Sequence, residues 1–263
     1  MNKVVLLTGG TSGIGLATVR ALLDLGCTVY ELSRRPEGPA GAVHIQGSVT
    51  DEAAVAAAVE RIVSEAGRLD AVVNNAGFGI SGAIEFSTAE EARRLFDVDF
   101  FGMVNVNRAV IPVLRRQGAG RIVNISSVAA PVAIPFQAYY SAAKSAVSSY
   151  SLALANELRP YGVTVCAVMP GDIRTGFTAA REKNRAGDEE YGGRIARSVA
   201  VMEHDEQNGM DPAVAGRFIA RVATRRGCKP LVAIGLKYKF FCVLIRLLPV
   251  RLSTWIVGLI YAK

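Results

Sequence analysis

Apolar runs recur along the chain, and longer amphipathic stretches separate most of them. The runs are rich in Val, Ile and Leu and predict strands over 4–8, 28–33, 42–46, 69–73, 121–125, 163–168 and 231–234. The amphipathic stretches predict helices that begin near Ile14, Asp51, Thr88 and Gln137. Continuous apolar strands that alternate with helices are typical of a parallel sheet covered on both faces. We therefore predict a single doubly wound α/β domain over 1–263, with ligands at the carboxyl ends of about seven strands.

A glycine-rich turn, TGGTSGIG at 8–15, follows the first predicted strand, and a helix begins directly after it. Glycines let the backbone approach a pyrophosphate, and the N–H groups of a helix N-terminus carry partial positive charge. The spacing is GxxxGxG, and tight turns without any ligand also use glycines. The position at the first strand-to-helix junction favours a dinucleotide site. Its candidate residues are Gly9, Thr11, Ser12, Gly13, Ile14 and Gly15.

Tyr140 and Lys144 stand four residues apart in the helix predicted to begin near Gln137. Residues at this spacing share one helix face, so the phenol and the ammonium lie together, whereas Tyr139 points elsewhere. A neighbouring positive charge favours the phenolate and draws the pKa of the tyrosine toward neutral pH. Many amphipathic helices carry such a pair without function. Ser127, at the end of the fifth predicted strand, can face the phenol and strengthens the prediction of an acid/base site.

The sequence Asn74-Asn75-Ala76-Gly77 follows the fourth predicted strand. Small and amide-bearing residues at a strand end suit a place where the backbone passes close to an adenosine and side-chain amides connect neighbouring loops. A capped turn is the alternative. The candidate cofactor-binding residues of this segment are Asn75, Ala76 and Gly77.

Taken together, TGGTSGIG, NNAG, Ser127 and YSAAK at 140–144 resemble the classical short-chain dehydrogenase/reductases over roughly Lys3 to Thr175. The stretch from Ser127 to Tyr140 is also similar to 17β-hydroxysteroid and retinol dehydrogenase-like members. The resemblance implies a Rossmann fold and an NAD(P)-linked oxidoreductase. It further implies that Tyr140 is the general acid/base, that Ser127 holds the substrate oxygen, and that Lys144 lowers the tyrosine pKa and binds the nicotinamide ribose.

The turn PGDIRT at 170–175 resembles the family's PGxxxT turn, which holds the nicotinamide carboxamide. The resemblance implies four more cofactor-binding residues: Pro170, Gly171, Ile173 and Thr175. Two positions depart from the family pattern. Asp99 stands where the family usually has Asn, which predicts an altered proton relay because an ionised carboxylate cannot donate. Ser48 stands before Val49, where the family more often has Asp to bind the adenine amino group. Ser48 and Val49 remain candidate cofactor-binding residues, with Ser48 accepting that hydrogen bond less strongly than a carboxylate would.

The end of the second predicted strand, Glu31-Leu32-Ser33-Arg34-Arg35, indicates the choice of cofactor. An acidic side chain here accepts hydrogen bonds from a ribose 2′-hydroxyl, whereas arginine matches a 2′-phosphate. By the resemblance, Ser33 occupies the position of the Asp found in NAD-preferring relatives. We therefore expect NADP(H) to be preferred over NAD(H). Glu31, on the same strand face, is the alternative selector, and Arg34 and Arg35 are alternatively a solvated loop.

Composition limits the remaining function classes. The chain is 51% hydrophobic and 20% charged, enough to bury a large core. Its N-terminus has no basic region before the apolar run and no small-residue cleavage site, so export is not expected. The four cysteines are scattered among apolar neighbours, which favours buried thiols in a reducing cytoplasm, and the two histidines suggest no metal site.

The net charge of +7 belongs to the C-terminal fifth of the chain, because residues 212–263 contain ten Lys and Arg and no Asp or Glu. No recognition module accompanies this charge, so nucleic acid is not an expected partner. Within it, 235–263 is an apolar basic extension that bears a Trp and is interrupted too often to span a membrane. It suits peripheral contact with the inner face of a membrane, the wall of an apolar substrate pocket, or a subunit interface, and ordinary packing helices remain an alternative.

The charge-dense segment 176–210 is predicted to be a substrate lid. The small-residue run from Ser141 to Ser149 suits close helix contact between subunits, and we expect a homodimer or a homotetramer. The predicted activity is interconversion of a carbonyl and an alcohol on a small apolar substrate that is steroid-, retinoid- or acyl-like. A soluble 3-oxoacyl reductase, and a cofactor-sensing protein with little catalysis, are the alternatives.

Overall fold

The computed structural model describes residues 2–262. Its strands are β1 (Val4–Thr8), β2 (Thr28–Ser33), β3 (Val43–Gln46), β4 (Ala71–Asn74), β5 (Ile80–Ser81), β6 (Gly120–Ile125), β7 (Val163–Met169), β8 (Glu182–Lys183) and β9 (Leu231–Ala233). Seven of them form one parallel sheet in the order β3-β2-β1-β4-β6-β7-β9. The predicted doubly wound α/β fold is therefore confirmed, and each predicted strand overlaps a strand of this sheet.

The helices are α1 (Gly13–Asp24), α2 (Glu52–Ala66), α3 (Ala89–Phe96), α4 (Gly102–Gln117), α5 (Ala138–Leu158), α6 (Phe177–Ala180), α7 (Arg194–Gln207), α8 (Pro212–Thr224), α9 (Leu236–Leu247) and α10 (Val250–Tyr261). The four predicted helix starts are correct to within one residue. Asp51 and Thr88 are N-caps, since the Asp51 carboxylate accepts from Ala53 and Ala54 and Thr88 forms a capping box with Glu91.

Two separate apolar cores cover the faces of the sheet. Residues of α2, α4 and α5 pack on one face around Ile62, Val106 and Leu114. Residues of α1 and α8 pack on the other face around Leu22 and Ile219. Burial on both faces explains why the strands are continuous apolar runs rather than alternating ones.

The segment 176–210, predicted to be a lid, contains α6, β8 and α7. β8 pairs with β5 in a small second sheet outside the main one. This pair was not predicted, because two residues are too few to show any periodicity. A turn of π-helix, Asp97–Phe101, joins α3 to α4, and such turns often accompany functional sites.

The C-terminal extension folds into α9 and α10, which meet at Pro249. Ten large apolar side chains of this pair are exposed: Leu236, Phe240, Val243, Leu244, Leu247, Val250, Leu252, Trp255, Leu259 and Ile260. Each helix buries one apolar side chain, Cys242 of α9 in a cluster with Met169 and Ala233 and Val257 of α10, and most of its other large apolar side chains face outward. No helix within residues 2–262 combines the length and apolarity needed to cross a bilayer.

Candidate active site

A cavity of about 970 Å³ lies where β1, β4, β6 and β7 end, and the candidate catalytic and cofactor-binding residues line it, whereas the alternative selector Glu31 does not. The lining comprises the glycine turn, Ser33 to Arg35, Ser48 and Val49, Asn75 to Gly77, Asp99, Ser127, Tyr140, Lys144 and the Pro170 to Thr175 turn. The topology produces this grouping, because the carboxyl ends of parallel strands meet at one edge of the sheet.

The glycine turn has the form of a dinucleotide cradle. A Cβ on Gly15 would overlap the carbonyl oxygen of Gly9, so only glycine allows this close turn. Asn75 Nδ2 donates to the carbonyl oxygens of Thr8 (3.1 Å) and Gly9 (3.0 Å), and Thr8 Oγ1 accepts from the backbone N–H groups of Asn75 and Ala76 (both 3.1 Å). The turn and the NNAG segment are thereby fixed to each other, with the first N–H groups of α1 at the cavity. These residues fit a bound NAD(P).

At the end of β2, Ser33 lines the cavity, together with the exposed Arg34 and Arg35. Glu31 is fully buried, accepts from the Gly10 N–H (2.7 Å) and lies 2.7 Å from His44 Nδ1. Its carboxylate therefore supports the glycine turn from beneath, which argues against the alternative in which it contacts the ribose. At the other edge, Ser48 Oγ lies 2.8 Å from Thr50 Oγ1.

Ser127, Tyr140 and Lys144 meet at the floor of the cavity. The Ser127 hydroxyl is close enough to the Tyr140 phenol to lower its pKa by hydrogen bonding. Lys144 Nζ lies 5.5 Å from the centroid of the Tyr140 ring and donates to the carbonyl oxygen of Ile125 (3.3 Å). Ser127 Oγ also accepts from the Ala129 N–H (3.1 Å). The three functional groups thus have the mutual positions that acid/base chemistry on a carbonyl oxygen requires.

Asp99 lies in the π-helical turn and pairs directly with the lysine. Its Oδ2 is 2.9 Å from Lys144 Nζ, and its Oδ1 accepts from the Phe78 N–H (2.9 Å). Both side chains are nearly inaccessible, with Asp99 3% and Lys144 5% exposed. The carboxylate therefore takes up one of the N–H donors of Lys144. The altered proton relay expected from the sequence thus corresponds to a direct ion pair between Asp99 and the lysine.

The electrostatics of Tyr140 combine opposing effects. Burial raises the pKa of the phenol above its ordinary value and outweighs the lowering by Lys144 and by the Ser127 hydrogen bond, while Asp99 and Glu206 raise it further. Burial also disfavours the Lys144 ammonium, but the adjacent Asp99 holds the pKa of this lysine above its ordinary value. Lys144 acts on the tyrosine pKa in the expected direction. The net result nevertheless keeps the phenol protonated at neutral pH, which is the form that donates a proton.

Several residues on the substrate side of the cavity were not predicted from the sequence: Gln137, Phe177, Met202, Glu206 and Tyr261. Two tyrosines connect α9 and α10 to this side. The Tyr238 hydroxyl donates to Asp172 Oδ2 (2.7 Å), and Tyr261 lies close enough to Asp205 for this carboxylate to raise the tyrosine pKa. The extension therefore contributes to the cavity wall, one of the alternatives for it, although only the aromatic content of these positions could have suggested this.

Comparisons with known proteins agree with this geometry. The chain is 41% identical over 227 residues to the 3-ketodihydrosphingosine reductase of Bacteroides thetaiotaomicron, an alignment that covers 85% of this chain and 84% of that protein. A short-chain dehydrogenase from Streptomyces avermitilis has a similar structure, with a TM-score of 0.82, 31% identity, and coverage of 97% of this chain and 96% of that one.

A second similar structure is that of the 3-ketoacyl-(acyl-carrier-protein) reductase from Brucella melitensis complexed with NADH. Its TM-score is 0.74 at 27% identity, with 88% of this chain and 96% of that chain covered. The sequence model for short chain dehydrogenases matches residues 3–186, which include the glycine turn, the NNAG segment, Ser127, Tyr140, Lys144 and the Pro170 to Thr175 turn. The chain therefore belongs to the short-chain dehydrogenase/reductase family of NAD(P)-binding oxidoreductases.

Proposed function

We propose that this oxidoreductase reduces the ketone of a long-chain lipid with NADPH, in the manner of a 3-ketodihydrosphingosine reductase. The observation that carries the proposal is the meeting of Ser127, Tyr140 and Lys144 beside a substrate space with apolar walls. The relative of highest identity named above acts on 3-ketodihydrosphingosine, a long-chain ketone. A wall that includes Phe177, Met202 and Ile134 suits such a chain.

The chain's own residues supply orientation and a proton. Bound NADPH would deliver hydride to the carbonyl carbon. As negative charge grows on the substrate oxygen, Tyr140 donates its proton and the Ser127 hydroxyl donates a hydrogen bond, so both donors stabilise the charge where it develops. Lys144, held by Asp99 and the Ile125 carbonyl, keeps its positive charge beside the phenol. In the reverse direction the same residues accept the proton of an alcohol.

Preference for NADPH is part of the proposal and depends on the end of β2. Ser33 provides no charge to repel a 2′-phosphate, and Arg34 and Arg35 extend into solvent at the cavity rim. The nearby carboxylate, Glu31, is occupied by Gly10 and His44. A guanidinium matches the geometry of phosphate by paired hydrogen bonds, so these arginines favour the phosphorylated cofactor.

The proposal is tested by following NADPH oxidation with 3-ketodihydrosphingosine and with a short-chain ketone. We expect kcat/KM to be roughly tenfold or more higher for the long-chain ketone, because each buried methylene adds to binding. We also expect roughly a tenfold advantage of NADPH over NADH, the effect of one charged hydrogen bond. Preference for the short ketone would contradict the lipid assignment. Tight NADPH binding without turnover of any ketone would favour a cofactor sensor.

The proposal also includes peripheral attachment to an anionic membrane through α9 and α10. Their exposed apolar side chains are accompanied by Lys237, Lys239, Arg246 and Arg251, and no acidic residue lies in either helix. Such a surface gains from burial of apolar area among acyl chains and from attraction to anionic head groups. Tyr261 continues this surface into the cavity wall, so a lipid substrate would have a short route from the bilayer.

Membrane attachment can be measured with the single tryptophan of the chain, Trp255, which lies in α10 and is 61% exposed. We expect its emission to shift to shorter wavelength with vesicles that contain phosphatidylglycerol, and the shift to weaken with salt. Phe240→Glu should weaken binding roughly tenfold or more, since it removes apolar area and adds a negative charge. The matched control is Leu25→Glu, at an exposed apolar position outside the extension.

Equal binding to neutral phosphatidylcholine vesicles would contradict the electrostatic part of this prediction. An emission shift that depends on protein concentration, without vesicles and together with a doubled mass in light scattering, would instead identify the surface as a contact between copies of the chain.

A further inference from the structure

The substrate side of the cavity is not uniformly apolar. Among the side chains that line it beyond Ser127 and Tyr140, Phe177, Met202, Ile134 and Ala180 form apolar walls, whereas Gln137 and Glu206 bring polar groups to the same space. A buried polar group without a partner costs free energy, so polar groups in an apolar cavity mark the position of a polar substrate group.

Gln137 is fixed next to the acid/base tyrosine. It is the residue before α5, three positions from Tyr140, and is only 5% exposed. Phe136 before it has a φ of 59°, in the left-handed region that is unfavourable for a bulky side chain. No hydrogen bond of the Gln137 carboxamide exists within residues 2–262, although its backbone groups are bonded to Ile134 and Ser141. This carboxamide therefore has a donor and an acceptor available to a ligand.

Glu206 reaches the cavity from α7. Thr178 Oγ1 donates to its Oε2 (2.6 Å), and Arg181 Nη2 donates to its Oε1. A carboxylate has about four acceptor positions, two on each oxygen, so each oxygen keeps a free acceptor position after these two bonds. The two partners fix the orientation of the carboxylate, and Glu206 is close enough to Tyr140 to act on it electrostatically. The Arg181 ion pair offsets the charge of Glu206, so the remaining lone pairs of the carboxylate would hold a substrate ammonium, next to the reacting carbonyl, by hydrogen bonds.

We propose that Glu206, assisted by Gln137, binds the amino group of a 2-amino-3-ketone and thereby selects this substrate class over simple ketones. The inference rests on the proposed reduction of a long-chain ketone and adds the substrate group that is recognised. The carboxylate accepts from the ammonium, and the carboxamide accepts from the ammonium or binds a neighbouring hydroxyl. A site built to hydrogen-bond a substrate N–H strongly rejects the analogue without it, because its own polar groups are then left unpaired.

The test compares two ketones of equal chain length, 3-ketodihydrosphingosine and the matched 3-ketone without the amino group. With the native enzyme and NADPH we expect roughly 10-fold to 100-fold higher kcat/KM for the amino ketone, the effect of one charge-assisted hydrogen bond. Glu206→Gln should remove most of this preference, because kcat/KM should fall much more for the amino ketone than for the amine-free ketone. Glu203→Gln is the control, since Glu203 lies on the same helix but pairs with Lys183.

A structural role of Glu206 has a different outcome. If the carboxylate only holds Arg181 in place, Glu206→Gln should impair both ketones equally, and this result would overturn the inference. The double variant Arg181→Met/Glu206→Gln leaves no buried unpaired guanidinium, so it tests the preference in case the single variant folds poorly. Loss of the preference, measured as the ratio of the two kcat/KM values, is again expected.

A binding measurement on the native enzyme needs no variant. Dihydrosphingosine and its N-acetyl form are compared as inhibitors of the reduction of the amine-free ketone, and we expect the free amine to bind roughly tenfold or more tightly. Equal inhibition would also overturn the inference. Reduction of both ketones with equal efficiency would refute amine recognition but not the proposed function. Reduction of neither ketone would refute the proposed function itself.

Discussion

Replacement of Tyr140 by Phe is expected to lower kcat for ketone reduction roughly 10²-fold to 10⁴-fold, the usual contribution of general acid catalysis. The variant lacks the hydroxyl that donates to the substrate oxygen but keeps the ring. That ring packs against Phe177 with centroids 5.9 Å apart, and this contact does not involve the hydroxyl. The fold and NADPH affinity should therefore be retained. NADPH oxidation at saturating substrate measures kcat, and titration of NADPH fluorescence measures cofactor binding.

Tyr139→Phe is the matched control, because Tyr139 is the neighbouring residue and does not line the cavity. We expect its kcat to be close to that of the native enzyme. Undiminished turnover by Tyr140→Phe would remove this residue from its role as proton donor. A proportional loss in both variants would indicate damage to α5 rather than loss of the acid.

The main sheet could be predicted because each of its strands is a continuous apolar run that is visible in the local sequence. Val4–Thr8 and Val163–Met169 are almost entirely apolar, and this follows from burial on both faces. Ile80–Ser81 and Glu182–Lys183 pair with each other across a hundred residues of chain. Neither has a local pattern, so their pairing depends on how the segment 176–210 packs against the rest of the chain and was not predictable.

In the candidate site, too, only residues that belong to a local motif could be predicted. Gly15 and Lys144 stand in motifs whose spacing is visible in the sequence. Glu206, by contrast, lies in a charge-rich segment where one carboxylate resembles every solvated one, and only the packing of α7 brings it to the cavity. Tyr261 is likewise distant in sequence, and its place in the wall depends on how α10 packs on α7. Whether such residues reach the cavity depends on contacts between helices and strands, which the periodicity of the sequence does not reveal.

Asp99 was predictable in one respect and unpredictable in another. Its departure from the family pattern was visible at the sequence level, but its direct ion pair with Lys144 depends on the π-helical turn Asp97–Phe101. The pair has a consequence for stability as well as for chemistry. Two opposite charges buried together tolerate joint replacement by apolar groups, whereas removal of one partner leaves the other charge uncompensated.

We therefore expect Asp99→Ala to lower the free energy of unfolding by about 3–5 kcal/mol, the usual effect of breaking a buried ion pair. Urea denaturation followed by circular dichroism measures this change, and the slope of the transition shows whether the unfolded state has changed. In the double variant Asp99→Ala/Lys144→Met the uncompensated ammonium is gone, and we expect most of the lost stability to return. About 1 kcal/mol should remain lost, because the Phe78 N–H no longer has its acceptor.

The double variant also separates two explanations for any loss in Asp99→Ala. If the loss came from the cavity left by the carboxylate, removal of the lysine charge would restore nothing, and the two variants would be equally unstable. If the ion pair is responsible, the double variant should be the more stable one while remaining inactive, because Lys144 is part of the acid/base group. A single variant as stable as the native protein would show that Lys144 finds another partner, and the direct pair would then have no energetic role.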